Sequence, residues 1–214
     1  MDGNARWAKK NKLSLEKGYK KGIEKLNKVV DISIENKINY LSVFALSTEN
    51  FKRKNVHIIF NIITNFLDEF INKINKEKVK INIFGNRSNL PNKIIKIFND
   101  IEKKTKNNKK IILNVGFNYG SKDEIMMCIK KIKKSKEIDS INEKVIRKNL
   151  YFPNIPDPDI LIRTGGFNRL SNFLLYQLSY TELFFIKSLW PDITKKQIES
   201  IFMQYQKIER KHGL

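Results

Sequence analysis

Apolar residues recur along this chain with two different periods, and the two alternate. Residues 14–36 carry a helical spacing. The run INYLSVFAL is short, mostly apolar and bounded by polar residues, which predicts a buried strand. Val56, Ile59, Phe60, Ile63, Phe66, Leu67, Phe70 and Ile74 then return at three- and four-residue steps, predicting a long helix from Val56 to Ile74. VKINIFG predicts a strand stopped by Gly85, and LPNKIIKIFNDIEKKT a helix entered through Pro91. KIILNVGFNYG predicts a strand running into a glycine turn, and residues 122–136 a basic helix. DILIRTGG and ELFFI predict two more strands. A closing helix over 194–211 has Thr194 as its N-cap.

Strands alternating with helices argue for an α/β fold, a largely parallel central sheet flanked by helices. There is no internal repeat and no Gly/Ser linker, so residues 1–214 read as a single domain. Several strands run straight into loops rich in Gly, Ser, Thr, Asn or Arg. Open α/β sheets bind ligands beyond the carboxyl ends of their strands. ALSTENFKR, NVGFNYGS and LIRTGGFNRLSN are therefore expected to gather at one edge, with the opening loop MDGNARWA beside them.

Composition narrows the chemistry. Lys and Arg number 42 against 22 Asp and Glu, a net charge of +20, which attracts polyanions. Much of that charge sits in runs such as KKTKNNKK and KKIKKSKE, which read as solvated lysine-rich faces. No RRM, KH or zinc pattern supports a nucleic-acid binder, so no nucleic-acid partner is expected. The single cysteine, Cys128, cannot form an internal disulfide and supplies no metal-ligand set. No apolar run reaches the length of a membrane span, and no signal peptide precedes the first motif. A cytoplasmic protein is expected, with peripheral contact to the endoplasmic reticulum or another membrane.

Arginine is scarce beside lysine, so its placement is informative. In RTGGFNRLSN, Arg163 and Arg169 stand at the two ends of a bend. Gly165 and Gly166 let backbone N–H groups approach a ligand, and Ser171 and Asn172 are expected to open a helix. Guanidinium forks and a helix N-terminus suit phosphate oxygens. MDGNARWA repeats the logic, with a tight turn at Gly3, donors at Asn4 and Arg6, and Asp2 to hold a cation. Glu182, a lone acid in an apolar run, either pairs with a basic group or helps hold metal.

Taken together, MDGNARWAKK, LSTENFKR, NYGS and RTGGFNRLSNFLLYQLSYTELFF…LWPD resemble, in order and spacing, the cis-prenyltransferases, the undecaprenyl and dehydrodolichyl diphosphate synthases. The resemblance spans essentially the whole chain. It implies a dimeric, Mg²⁺-dependent enzyme that condenses isopentenyl diphosphate onto an allylic diphosphate, usually farnesyl diphosphate. Each cycle makes a cis double bond, and the long-chain product serves dolichol or undecaprenol-type carriers. It also implies roles. Asp2 binds Mg²⁺ and helps the allylic diphosphate leave, while Gly3, Asn4, Arg6 and Trp7 cradle that diphosphate. Ser47, Glu49, Asn50, Phe51 and Arg53 form a mobile loop between the substrates, with Asn50 and Arg53 guiding proton removal. Arg163, Arg169 and Ser171 clamp the isopentenyl diphosphate, and Glu182 helps position Mg²⁺ across the subunit interface. The apolar stripe over 56–74 would line a tunnel for the growing hydrocarbon. The absence of a DDxxD pair agrees with the cis class rather than the trans class.

The chain also departs from the family pattern. Family members have an apolar strand ahead of the first loop, so an upstream extension carrying that strand is expected. Leu15 and Tyr19 stand where Arg and His are usual, Phe167 where Glu is common, and Lys211-His212-Gly213 where many members have Arg-x-Gly. The alternative to a catalyst, active as a homodimer or within a heteromer, is a non-catalytic structural subunit of a heteromeric complex. Such relatives lose the aspartate and the arginine clamp, whereas Asp2, Asn50, Arg53, Arg163, Arg169 and Ser171 are all present.

Overall fold

A computed structural model of the chain describes residues 1–52, 56–65, 78–135 and 140–209. They form two compact units. One comprises Met1–Ile32, Asp157–Arg169 and Gln177–Leu214; the other comprises Ser33–Pro156 and Leu170–Tyr176.

The larger unit is built on three parallel strands, β1 (Tyr40–Ser47), β2 (Val79–Phe84) and β3 (Ile111–Tyr119), in the order β1-β3-β2. Parallel strands buried on both faces need near-continuous apolar sequence. Central β3 has it, with Ile111, Leu113, Phe117 and Tyr119 all buried. One polar row crosses the sheet in register. Buried Asn114 accepts a hydrogen bond on Oδ1 from the Asn82 side-chain amide at 2.9 Å and donates to Ser42 Oγ at 3.2 Å. A one-residue slip of either neighbour would break this row, so it pins the register.

Strand β2 lies at the edge of this sheet. Helix α5 (Asn92–Thr105) covers it with side-chain acceptors: Thr105 Oγ1 takes the Ile81 N–H and Glu102 Oε1 the Ile83 N–H. Exposed strand N–H groups would otherwise invite pairing with another chain. Helix α3 (Thr48–Phe51) follows β1 directly, capped by Ser47 Oγ, which accepts from the Asn50 N–H. Helix α4, over the described residues 56–65, buries Ile62, a position outside the expected stripe. The expected tunnel-lining positions Phe66, Leu67, Phe70 and Ile74 lie outside the described residues.

Helices α6 (Ser121–Lys134) and α7 (Glu143–Asn149) complete this unit. At the end of β3 the Tyr119 hydroxyl donates to Glu124 Oε2 at 2.6 Å, and Glu124 Oε1 accepts the Tyr151 N–H at 2.9 Å. Both side chains are buried. Burial, with the Glu124 carboxylate beside it, pushes the Tyr119 hydroxyl well above the usual phenol range. Tyr119→Phe removes one bond to a carboxyl group and is expected to cost about 2 kcal/mol, read as a lower urea midpoint with unchanged slope. An unchanged midpoint would show that the bond contributes nothing to folding.

The smaller unit holds two parallel strands, β4 (Ile160–Arg163) and β5 (Glu182–Phe185). It also contains α1 (Asn4–Lys10), most of α2 (Leu15–Glu35), a 3₁₀ turn at Trp190–Asp192 and α8 (Lys195–Gln206). Thr194 caps α8 in a full capping box with Gln197. The opening segment is therefore not a loop throughout: after Gly3 it winds into α1. Two glycines of α2 admit it. A methyl group at Gly18 would lie 2.6 Å from the Asn4 carbonyl, and one at Gly22 would strike the Asn4 side chain. Trp190 closes the same corner, its indole N–H donating to the Gly22 carbonyl at 2.9 Å.

The expected helix at Ser171 is absent. Ser171, Asn172 and Leu174 have φ of 51°, 64° and 44°, left-handed values that no right-handed helix contains. Asn172 holds this turn within its unit. Its carbonyl accepts the Ser121 N–H, its Oδ1 the Lys122 N–H, and its amide donates to Glu49 Oε1. Among the described residues no helix is long and apolar enough to cross a membrane.

Candidate active site

The first cluster is assembled at the carboxyl end of β4. The backbone there turns through Thr164, Gly165 and Gly166, and Asp2 is held against it by its main chain. The Asp2 N–H donates to Thr164 Oγ1 at 2.9 Å, and the same hydroxyl donates to the Asp2 carbonyl at 2.9 Å. The Trp190 N–H donates to that carbonyl as well. Main-chain anchorage leaves the Asp2 carboxylate for guanidinium groups. Oδ1 accepts from Arg6 Nη2 and Oδ2 from Arg163 Nη2, each at 3.1 Å.

Arg6 reaches this point because it sits in the first turn of α1, one helical turn beyond Asp2. Its Nη1 donates to the Gly165 carbonyl at 2.7 Å. Arg163 Nη1 donates to the Arg169 carbonyl, closing the bend between the two arginines. The guanidiniums of Arg169, Arg6 and Arg163 all lie on the Phe167 ring, at 4.3, 4.8 and 5.7 Å from its centroid. Three cations and one carboxylate thus share a small volume, an arrangement that suits an anion carrying more than one charge.

A second cluster lies in the other unit, at the carboxyl ends of β1 and β3, where Ser47 and Tyr119 are register partners. Ser47, Glu49, Asn50 and Phe51 stand on α3 or its cap, and Asn172, next to Ser171, bonds Glu49 at 3.1 Å. Partial burial pushes the Glu49 carboxyl up. Hydrogen bonds from its own backbone N–H, Ser47, Asn172 and Thr48 outweigh this, leaving it below the ordinary glutamate value. A carboxyl lowered on folding contributes stability that is complete above about pH 4.5 and fades as pH falls through the lower folded value. Amide exchange in residues 47–51 is therefore expected to quicken below that window in wild type and already at neutral pH in Glu49→Gln. Identical protection in both proteins at every pH would contradict this.

The remaining candidates divide. Gly3 is the N-cap of α1, buried against Leu189. Asn4 turns its Oδ1 into the α2 crossing, where that atom is buried without a hydrogen-bond partner. The Trp7 indole N–H donates to Asp192 at 2.7 Å, which ties α1 to the 3₁₀ turn. Glu182 pairs with Ile160, three residues along the ladder from Arg163, or about 10 Å. Within one chain it does not join Asp2. Arg53 lies outside the described residues, as do Lys211, His212 and Gly213. Sequence reasoning passed over Thr164, the Gly165 carbonyl and the contact of Phe167 with all three arginines. An aromatic residue placed between two arginines was the available signal for the last.

The donor set can be tested against Mg²⁺. A carboxylate offers about four lone-pair directions. The guanidiniums of Arg6 and Arg163 occupy two on Asp2. Among the described residues no group of three or more His, Cys, Asp or Glu gathers. One carboxylate with spare capacity beside three arginines fits an ion that takes one protein carboxylate, phosphate oxygens and water.

The prenyltransferase family described as "Putative undecaprenyl diphosphate synthase" matches residues 1–213. An isoprenyl transferase of Thermotoga maritima is 41% identical over 219 residues, covering 100% of this chain and 94% of that protein. One of Fusobacterium nucleatum is 39% identical, covering 100% and 93%. The crystal structure of a probable undecaprenyl diphosphate synthase from Campylobacter jejuni superposes with a TM-score of 0.83 at 34% identity, covering 91% of this chain and 93% of that one. Lavandulyl diphosphate synthase from Lavandula x intermedia, solved in complex with dimethylallyl diphosphate, superposes with a TM-score of 0.92 at 27% identity, covering 100% and 95%. A parallel sheet flanked by helices, matched along its length by these relatives, carries the cis-prenyltransferase fold, and the chain belongs to the undecaprenyl diphosphate synthase family of isoprenyl transferases.

Proposed function

We propose that this protein condenses isopentenyl diphosphate onto an allylic diphosphate, farnesyl diphosphate, with cis geometry, extending it to a long-chain polyprenyl diphosphate of the kind that feeds undecaprenol or dolichol carriers. The observation that supports this reading is the Asp2 carboxylate held between Arg6 and Arg163, with Arg169 on the same ring. The dimethylallyl diphosphate bound by the lavandulyl enzyme is itself allylic, which favours a substrate of that class here.

The chemistry needs three things. The allylic carbon–oxygen bond breaks with its electron pair leaving on diphosphate, so fixed positive charge must meet the leaving group. Arg6 receives those oxygens, with Gly3 turning the chain toward them, while the Asn4 side chain holds α1 against α2. Asp2 would hold Mg²⁺, which when bound neutralises diphosphate charge. The double bond of isopentenyl diphosphate supplies the electrons of the new carbon–carbon bond, which requires that unit to be held in place. Arg163, Arg169 and Ser171 do this. A proton then leaves the adduct, guided by Asn50 and Arg53, with Ser47, Glu49 and Phe51 shaping that loop. Val56, Ile59, Phe60 and Ile63, the described part of the expected apolar stripe, would line the path of the lengthening chain.

The working form is a homodimer in the cytoplasm, touching the membrane that receives its product. Tyr180 and Leu183, 86% and 43% exposed, flank Glu182 and suit a surface that a second copy covers, bringing Glu182 to its partner's Mg²⁺. The test uses purified protein with Mg²⁺, farnesyl diphosphate and radiolabelled isopentenyl diphosphate. Label is expected to enter a butanol-extractable product and to stop entering it on chelation. Label that stays in the aqueous phase, with all components present, would sink the reading and favour a non-catalytic subunit.

A further inference from the structure

Phe167 touches the guanidinium carbons of Arg169, Arg6 and Arg163, which lie 4.3, 4.8 and 5.7 Å from its centroid. These arginines come from two places in the sequence. Arg6 belongs to α1, whereas Arg163 and Arg169 bracket the bend after β4. Asp2 bonds Arg6 and Arg163. Among the described residues Phe167 is a side chain in contact with all three.

Three like charges this close repel one another, and a group that binds anions must hold them together before the anion arrives. A carboxylate would do so by occupying guanidinium N–H groups, the same donors a phosphate needs. An aromatic ring does so differently. Its negative face attracts the cation through the guanidinium plane and takes up no N–H group, so the ring adds to the bonds that Arg6 and Arg163 make to Gly165, Asp2 and Arg169 without using a further donor. The ring is also rigid and 37% exposed, so it gathers the arginines without burying them.

We infer that Phe167 is a positioning residue, gathering Arg6, Arg163 and Arg169 on one ring so that they meet a diphosphate as a preorganised set. The inference rests on the reading of this cluster as the diphosphate site. It goes further by assigning to a non-polar side chain the task of ordering the charges. Ordering before binding strengthens capture, because the cost of arranging the side chains falls before the ligand arrives. It does not act on the reacting carbon.

The test compares wild type, Phe167→Leu, Phe167→Met and Phe167→Tyr. Leu and Met keep an apolar side chain without a ring; Tyr keeps the ring. Binding of inorganic diphosphate is measured by calorimetry at fixed ionic strength, melting temperature without ligand, and KM and kcat for isopentenyl diphosphate. Leu and Met are expected to weaken diphosphate binding about tenfold, the scale of lost cation–π contacts, and to raise KM more than they lower kcat. Melting temperatures should stay near wild type because the position is partly exposed, and Tyr should restore binding. Wild-type binding in both Leu and Met would overturn the inference while leaving the diphosphate site intact. Tyr binding as weakly as Leu would also overturn it, because the ring would not be the cause. A wild-type protein that fails to bind inorganic diphosphate would remove the site reading, and the inference with it.

Discussion

Asp2→Asn is expected to lower kcat for condensation by about 10²–10³-fold while leaving the protein folded, the size of effect seen when one group that stabilises developing charge is removed. The separation follows from how Asp2 is held. Its main chain carries the structural bonds, to Thr164 Oγ1 and from the Trp190 N–H, and these survive substitution. Its carboxylate makes the two ion pairs, each 3.1 Å long, and the Asp2 side chain is 35% exposed. Partly exposed pairs of this kind contribute about 0–1 kcal/mol. Asn keeps the shape and removes the charge, so the Arg6 and Arg163 guanidiniums lose their shared anion, and the Mg²⁺ proposed at Asp2 would lose a carboxylate. Rates should therefore collapse with only a small shift of the melting temperature. Wild-type turnover in Asp2→Asn would show that this carboxylate has no part in the chemistry. Lost turnover with a collapsed melting transition would show that it acts through folding alone.

Gly165→Ala is expected to damage both stability and activity, through backbone strain and through crowding of Arg6. Gly165 has φ of +90°, a conformation costing a residue with a side chain about 1–3 kcal/mol. The added carbon would also lie 3.1 Å from the Asp2 carbonyl oxygen and inside contact distance of the Arg6 guanidinium. Arg6 can move, but only by abandoning its 2.7 Å bond to the Gly165 carbonyl and its bond to Asp2. The variant is expected to lose about 2 kcal/mol of stability and, separately, at least about tenfold in kcat/KM. Gly166→Ala supplies the comparison. Its φ of +77° imposes similar strain, yet its added carbon meets nothing nearer than the Lys187 Cα at 3.8 Å. That variant should lose stability while keeping much more activity than Gly165→Ala. Equal activity losses in the two would mean that crowding of Arg6 is not the cause.

The strands β1 to β5 and the helices α2, α5, α6 and α8 were legible because each carries a continuous apolar period or a terminal signal, such as Pro91 before α5 and Thr194 before α8. Helix α1 was not legible. It is seven residues long, buries only Ala8, and has no side-chain cap at Gly3, so neither period nor capping announces it. Helix α7 is equally short, but Asn142 does cap it by accepting the Val145 N–H, a signal available in NEKV. The expected helix at Ser171 failed because Asn172 bonds to Glu49 and the start of α6, which bends the backbone into left-handed values that composition alone does not disclose.

Within the site, the meeting of Asp2 with Arg163 was legible through the motifs that contain them. Thr164 was not, because its role exists only through hydrogen bonds spanning 162 residues of chain. Asn4 and Trp7 show the reverse. Both belong to the opening motif, yet one turns its carbonyl oxygen toward Gly22 and the other bonds Asp192. Membership of a motif did not separate side chains facing the arginines from those locking α1 in place.

The geometry of the double bonds in the product tests the central claim most directly. Wild-type protein is supplied with farnesyl diphosphate and ¹³C-labelled isopentenyl diphosphate, and the extracted polyprenol is read by ¹³C NMR. A cis condensation by this cluster predicts that every labelled unit carries Z geometry and that Asp2→Asn yields almost no product. Labelled units of E geometry, or equal product from Asp2→Asn, would contradict it.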